Sequence, residues 1–475
     1  MRPTALFAVG LVCLALSACT TVRKPDATLP TSFGVTDGQA MSDVALETWW
    51  TQFQDPELDR LVQQALTSSP DARSAASRLR EARITASSAL IAFLPQGNAV
   101  GSTKETNTTQ TSGTRITIPG FSNNGTSNTT SANLNVSWEV DLFGRIFAVA
   151  KAARGDSAAA RFNAEAVRWS LAANVADVYF QARGLAIQLA DAQETVRIQG
   201  ELQRIVDTKV MRGLASRADS DRVAGDYAQV RSQAEGLEAD LAATQRTLLV
   251  LVGRGTDPIA PNTGPVIVGL IPSVPVAIPG ELLARRPDVR EAHARIASQT
   301  GRLTYNQLAF FPTFTLTPGV GLSRSKQPGF SSATRFWSIG GAVSQPILSI
   351  PRLLIDMKVQ SARAEQAVIA YEKAVQTAYG EADNALVRLA ADHRRVALLT
   401  DGEVRAKRAS EAARTRYALG LDDLQTALGA EQSWRSVRSQ LTGAQVQALR
   451  RAVQTYKALG GGWAASTLPT DKEAR

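Results

Sequence analysis

The segment SANLNVSWEVDL alternates Ala132, Leu134, Val136, Trp138, Val140 and Leu142 with Ser131, Asn133, Asn135, Ser137, Glu139 and Asp141. A period of two predicts a β-strand with one apolar and one polar face. Thr313 to Ser323 repeats it, with Phe314, Leu316, Val320 and Leu322 on one face and Thr313, Thr315, Thr317, Gly319, Gly321 and Ser323 on the other. Trp337, Ile339 and Val343 give a fourth strand its apolar face, whereas the strand expected after Pro95 is weakly patterned. Elsewhere the period changes. Leu171, Val175, Val178, Ala182, Leu185, Leu189, Ala192 and Val196 keep a 4-3-4-3 spacing, the seam of a long coiled-coil helix. After a turn at Gly213 the seam resumes at Val223 and runs through Tyr227, Val230, Ala234, Leu237, Leu241, Thr244 and Leu248 to Leu251. No proline interrupts Arg145 to Arg212, so one helix there would reach about 100 Å at 1.5 Å per residue. It has no run of ~20 uncharged apolar residues, so it is not predicted to span a bilayer. Ala172, Ala173, Ala176, Ala186 and Ala190 beside the seam predict close packing on more than one side, which a simple rod-like coiled coil would not need.

The chain repeats itself. Shifted by 217 residues, Pro70 to Pro95 falls on Pro287 to Pro312 with eight of 26 positions identical, including PDARSAASR on PDVREAHAR. Shifted by 207, Arg145 and Lys151 meet Arg352 and Lys358, Gly213-Leu214 meets Gly420-Leu421, and Val230-Arg231-Ser232-Gln233 meets Val437-Arg438-Ser439-Gln440. Each copy therefore holds a helical run, two strands and a long helical hairpin broken by a Gly-containing turn. The expected layout is an N-terminal half, 19–256, with strands at about 96–142 and a hairpin at about 145–252. A C-terminal half, 257–475, follows with strands at about 312–348, a hairpin at about 352–459 and a tail. The join is the Pro- and Gly-rich stretch from Asp257 to Gly280.

Ten or so alternating residues suit a membrane β-strand, apolar toward lipid and polar toward a lumen, and equally a half-buried soluble sheet. The Asn/Thr-rich loop from Asn107 to Thr130 and the aromatics Trp138 and Trp337 favour the membrane. In lipid, four strands leave two edges whose backbone groups need partners, so the chain must oligomerise into a closed barrel. Two copies would make an eight-stranded barrel filled by its own side chains, while three leave a lumen.

The amino terminus adds an export signal. Arg2 and the apolar Ala5 to Leu16 predict a signal peptide over residues 1–18. Leu16-Ser17-Ala18-Cys19 resembles the bacterial lipobox, in which Cys19 becomes the acylated first residue. Several acyl chains anchor stably where one is marginal, and Thr20 fits sorting to the outer membrane. Only two cysteines occur, and Cys13 lies in the signal, so no disulfide or thiolate metal site is expected. The net charge of +9 belongs to a solvated surface, because export argues against nucleic acid as partner.

These features resemble the TolC-type outer-membrane efflux proteins, most closely the lipidated OprM-like or NodT-type branch, over nearly the whole exported chain. Trp49-Trp50-Thr51-Gln52-Phe53-Gln54-Asp55-Pro56 is similar to that branch's early motif, and Pro279-Gly280-Glu281-Leu282-Leu283-Ala284-Arg285-Arg286-Pro287-Asp288-Val289-Arg290 to its mid-chain signature. The resemblance implies a mainly α fold with a membrane β part: a homotrimer whose twelve-stranded β-barrel continues into a twelve-helix periplasmic α-barrel. It implies an outer-membrane channel fed by a periplasmic adaptor and an inner-membrane efflux pump of the RND type. A conduit for protein secretion and a structural lipoprotein without transport are the alternatives.

The two Gly turns should then form the periplasmic tip, with Gly213, Leu214, Ala215, Gly420 and Leu421 meeting the adaptor. By the same resemblance Asp219, Tyr417 and Asp422 form the gate, Asp219 and Tyr417 through a hydrogen bond and Asp422 as one of three carboxylates near the axis. Ser216 and Asp219 also have capping-box spacing, and Asp422 would equally serve as a helix cap. Ala218 and Asp422 cannot form the Arg-to-Thr link of TolC itself, and Thr426 and Gly429 lack the carboxylates of its acidic ring. An enzyme finds little support. His293 and His393 have no metal-binding motif beside them, and Gly155-Asp156-Ser157-Ala158-Ala159 lacks the second glycine of a nucleophile elbow. No cofactor is expected, and transport must draw its energy from a partner.

Overall fold

The computed structural model describes residues 23–34, 39–40, 48–91, 93–109, 111–112, 124–259, 268–273, 275–276, 279–280, 285–327 and 329–461. The signal peptide, Cys19, Glu281 to Ala284 and residues 462–475 of the tail lie outside the described residues. Four strands, β1 (Gln96–Thr108), β2 (Gly125–Val140), β3 (Thr313–Gln327) and β4 (Phe330–Ser344), pair in the order of their numbers into one antiparallel sheet. Among the described residues seven helices accompany them: α1 (Pro56–Ser68), α2 (Pro70–Ile91), α3 (Arg145–Met211), α4 (Arg217–Leu251), α5 (Pro287–Leu308), α6 (Ile350–Ala418) and α7 (Leu424–Ala458). None of the described helices is long and apolar enough to cross a membrane. A two-residue parallel pair joins Gln39–Ala40 to Pro275–Val276.

Two compact units divide the chain. The first takes the described residues of Met1–Pro25, Arg80–Ala159 and Ala292–Ala370, and the second those of Asp26–Leu79, Ala160–Glu291 and Tyr371–Arg475. Each unit therefore draws on both sequence repeats.

In the first unit the register sets Leu134 opposite Val320 and Val320 opposite Trp337, and likewise Val140, Phe314 and Val343. The apolar residues of β2, β3 and β4 thus share one face, and Leu134, Val320, Trp337 and Ile339 remain 44 to 80 % exposed on it. The ladder between β2 and β3 skips from Asn135 with Gly319 to Trp138 with Leu316, across Pro318, which has no amide hydrogen to donate. β1 and β2 extend into the Asn/Thr-rich stretch expected as loop, pairing as far as Thr108 with Gly125, and Thr and Ser side chains bond across the strands at its border, as in Thr103 with Thr130 at 3.1 Å and Ser102 with Ser131 at 2.9 Å. α3 crosses α5 at a backbone approach: a Cβ on Gly301 would lie 2.6 Å from the Ala152 amide nitrogen, and one on Gly155 2.5 Å from that of Ser298. Asp156, beside Gly155, accepts from Ser298 at 2.6 Å and from Arg302 at 2.7 Å. The Gly155-Asp156-Ser157 run is therefore helix-packing surface within α3.

In the second unit the early motif makes the core. Trp49 and Phe53 are the first and last residues of a short 3-10 helix, and Trp49 stacks on Tyr456 of α7 at 5.7 Å while Phe53 lies 4.9 Å from Phe180 of α3. Asp55 caps α1 through the amides of Glu57 and Leu58, and accepts from the Tyr179 hydroxyl at 2.9 Å and from Arg183. Burial raises the Tyr179 phenol, and pushes that of Tyr456 up to about 12. The mid-chain signature has a similar task. Arg286, 3 % exposed, reaches Asp288 and Glu381 at 2.7 Å each and the Ala458 carbonyl at 3.1 Å. Arg290 lies over the Phe162 ring at 4.2 Å. Ala172, Ala173, Ala176 and Ala186 are buried beside the seam, whereas Ala190 is exposed, nearly three turns beyond Phe180, where the aromatic core of the early motif ends on this helix.

Candidate functional site

Both helical hairpins turn through the same backbone device. Gly213 and Gly420 hold φ at +70° and +72°, a left-handed conformation in which a Cβ would crowd the backbone. In the first turn the Leu214 amide donates to the Lys209 carbonyl at 2.8 Å and Gly213 to Val210 at 3.0 Å. In the second, Leu421 donates to Arg416 at 2.9 Å and Gly420 to Tyr417 at 2.9 Å. These are Schellman caps, which satisfy the last carbonyls of α3 and α6. The returning helices are capped in equivalent positions, since Ser216 and Asp423 are 207 residues apart, the repeat offset.

Asp219 closes the capping box of α4. Its carboxylate accepts from the Ser216 hydroxyl at 2.7 Å and the Ser216 amide at 3.2 Å, while its own amide donates to the Ser216 hydroxyl at 3.2 Å. The Ser216 hydroxyl and amide hold the Asp219 carboxyl below the usual range. Among the described residues no hydrogen bond joins Asp219 to Tyr417, whose side chain stands 42 % exposed. Asp422 is not the cap of α7. Asp423 takes that role, accepting from the Thr426 amide at 2.7 Å. Asp422 instead receives two bonds from Arg416, at 2.6 and 2.8 Å, and that guanidinium holds its carboxyl below the usual range. Leu214 and Leu421 are 73 % and 65 % exposed, and Ala215 is half-buried.

A buried charge cluster near the second turn escaped the sequence reading. Glu431, 6 % exposed, accepts from Ser410 of α6 at 2.8 Å and from Arg414 at 3.0 Å, and pairs with Arg435 at 2.8 Å. Across the first hairpin, Ser220 donates to Asp207 at 2.6 Å. The Glu431–Arg435 spacing of four was visible in the sequence. The contacts with Ser410 and Ser220 depend on hairpin register, which no local pattern reports. Among the described residues no group of three or more His, Cys, Asp or Glu side chains gathers to hold a metal ion.

Paired turns, long helices and an open sheet recur in known proteins. Residues 61–254 and 278–461 match the family of outer membrane efflux proteins. The chain is 28 % identical over 458 residues to the pyoverdine export outer membrane protein OpmQ of Pseudomonas putida, covering 96 % of this chain and 97 % of that one. It is 26 % identical to the cation efflux system protein CusC of Escherichia coli, over 95 % of this chain and 97 % of the relative. The solved structure of the outer-membrane channel OprN superposes with a TM-score of 0.79 at 26 % identity, covering 94 % of this chain and 100 % of that one.

Proposed function

The chain belongs to the outer membrane efflux protein family, and from that premise we propose how its parts form a conduit. It is an outer-membrane channel component of an efflux system. Three copies assemble as a homotrimer, each lending four strands, so that the strands close into a barrel and the long hairpins into a periplasmic tunnel. The observation that carries this reading is the open sheet: among the described residues β1 and β4 have one unpaired side each, and the apolar face is exposed. Unpaired backbone groups cost several kcal/mol each in hydrocarbon, so such a sheet is stable in a membrane only when other strands seal its edges.

Strand direction sets the orientation. Val140 and Ser344 lead toward α3 and α6 from one end of the sheet, and the turns between paired strands lie at the other. In this reading the hairpin turns at Gly213 and Gly420 face the periplasm, and the strand turns face the exterior. Cys19 carries the acyl anchor. Gly213, Leu214, Ala215, Gly420 and Leu421 meet the periplasmic adaptor, to which Leu214 and Leu421 offer exposed apolar side chains. Asp219, Tyr417 and Asp422 line the gate, with the Arg416–Asp422 pair as its ionic closure. The channel conducts small molecules passively, and an inner-membrane pump of the RND type supplies the energy.

Planar-bilayer recording of the purified protein tests this: discrete conductance steps are expected. Their absence, together with unchanged accumulation of an efflux dye in cells lacking the gene, would overturn the reading.

A further inference from the structure

On the apolar face of the sheet, beyond the last apolar row, stand three cations. The rows run from Val136–Pro318–Ile339 to Leu134–Val320–Trp337, then to Ala132–Leu322–Arg335, and beyond them come Arg324 opposite Ala333 and Lys326 opposite Ser331. Alternation places Arg324, Lys326 and Arg335 on the same side as Leu134, Val320 and Trp337. All three are exposed, and none forms an ion pair among the described residues. The one acidic side chain on that face at this level, Glu105 of β1, is separated from Lys326 by the intervening strand at Asn128.

Further along the same face, with Trp337 two residues from Arg335 and Val320 four and six residues from Arg324 and Lys326, lies an apolar hollow of about 310 Å³, lined by Leu134, Val136, Pro318, Val320, Trp337 and Ile339. Positive charge beside an apolar depression, with an indole at the boundary, matches a molecule with an anionic head and hydrocarbon tails. A solvated charged surface would not need the hollow, and a free anion would not use it.

We propose that Arg324, Lys326 and Arg335 form a binding site for the phosphate-bearing headgroup of a lipid in the leaflet that bounds the strand turns, with its acyl chains lying against Trp337 and Ile339. The site rests on the reading of the sheet as membrane-embedded. Arg335 on β4 and Arg324 on β3 present forks suited to phosphate oxygens, and Lys326 adds a third charge. Because β4 is an edge strand, a lipid held there also covers the neighbourhood of the seam between copies.

Native mass spectrometry of the delipidated protein in neutral detergent tests the site, with diphosphoryl lipid A, the same lipid stripped of its phosphates, and inorganic phosphate as probes. The wild type is expected to retain the phosphorylated lipid and release the stripped one. The triple variant Arg324→Gln, Lys326→Gln, Arg335→Gln should bind it roughly a hundredfold more weakly, at about fivefold per cation. Arg335→Gln alone should lose about fivefold, which keeps the test readable if the triple variant fails to fold. Exchanging both arginines for lysine should preserve most binding. Equal retention by wild type and variants, or of stripped and phosphorylated lipid, overturns the proposal, as does displacement of the lipid by equimolar inorganic phosphate. Bilayer conductance of the same samples separates the two readings. A conducting wild type with equal lipid retention by wild type and variants sinks this site alone, whereas a non-conducting wild type, together with unchanged dye accumulation in cells lacking the gene, sinks the channel and the site together.

Discussion

At the residue scale, the tip is decided by which carboxylate finds which partner. Asp219 is held by Ser216 and Asp423 by the Thr426 amide, so both act first as caps. Asp422 has a cation instead. Arg416→Gln is expected to release it and raise single-channel conductance severalfold, while Tyr417→Phe leaves conductance unchanged because the phenol is not bonded to Asp219. Acid acts in the same direction through Asp422. A carboxyl whose folded-state value is depressed contributes in full above its ordinary value of about 3.9 and loses that contribution as pH falls through the lower one. Conductance should therefore be flat from pH 7 to about 4.5 and rise only below about pH 4. A rise already at pH 6 would point to another group. The resemblance located Asp219, Tyr417 and Asp422, but not their partners. Repeat alignment alone pairs Ser216 with Asp423, and so could have excluded Asp422 as the cap.

At the element scale, hairpins and crossing depend on glycines for different reasons. Gly213 and Gly420 supply backbone conformation, so Gly213→Ala or Gly420→Ala should each cost about 1–2 kcal/mol. Gly301 supplies room. Gly301→Ala places a methyl 2.6 Å from the Ala152 amide nitrogen, and overpacking of that kind costs about 1–3 kcal/mol. Gly301→Val should cost more than either. The denaturation midpoint followed by helical circular dichroism measures all four variants, and an unchanged midpoint for Gly301→Val would show that α3 and α5 can separate freely. The Gly-Leu turns were legible in the sequence because the repeat offset of 207 residues lays Gly213-Leu214 on Gly420-Leu421. The Gly301 crossing was not, since nothing local distinguishes a glycine under another helix from one facing solvent.

At the scale of the whole molecule, open edges call for further strands, and the proposed homotrimer supplies them. The purified protein in detergent should have three times the mass of one exported chain, and acyl chains should add to that mass through Cys19. Cys19→Ser should remove the acyl mass while leaving the stoichiometry and the conductance in place, because strand pairing and not the anchor closes the barrel. A stable monomer would leave β1 and β4 unpaired in lipid and would rule out the assembly.

By itself the sequence determined the kinds of elements and their duplication, because periods of two and of three and a half and a repeat offset are properties of residue order. It also determined where the chain turns, since Gly213 and Gly420 end helical runs in a conformation that other residues resist. Only the tertiary structure decided that Trp49 meets Tyr456, that Arg286 reaches Glu381 and Ala458, and that Arg335 stands on the same face as Arg324 and Lys326. Those contacts join residues whose separation is set by register between strands and helices, a quantity that depends on packing across the fold and leaves no local trace in the chain.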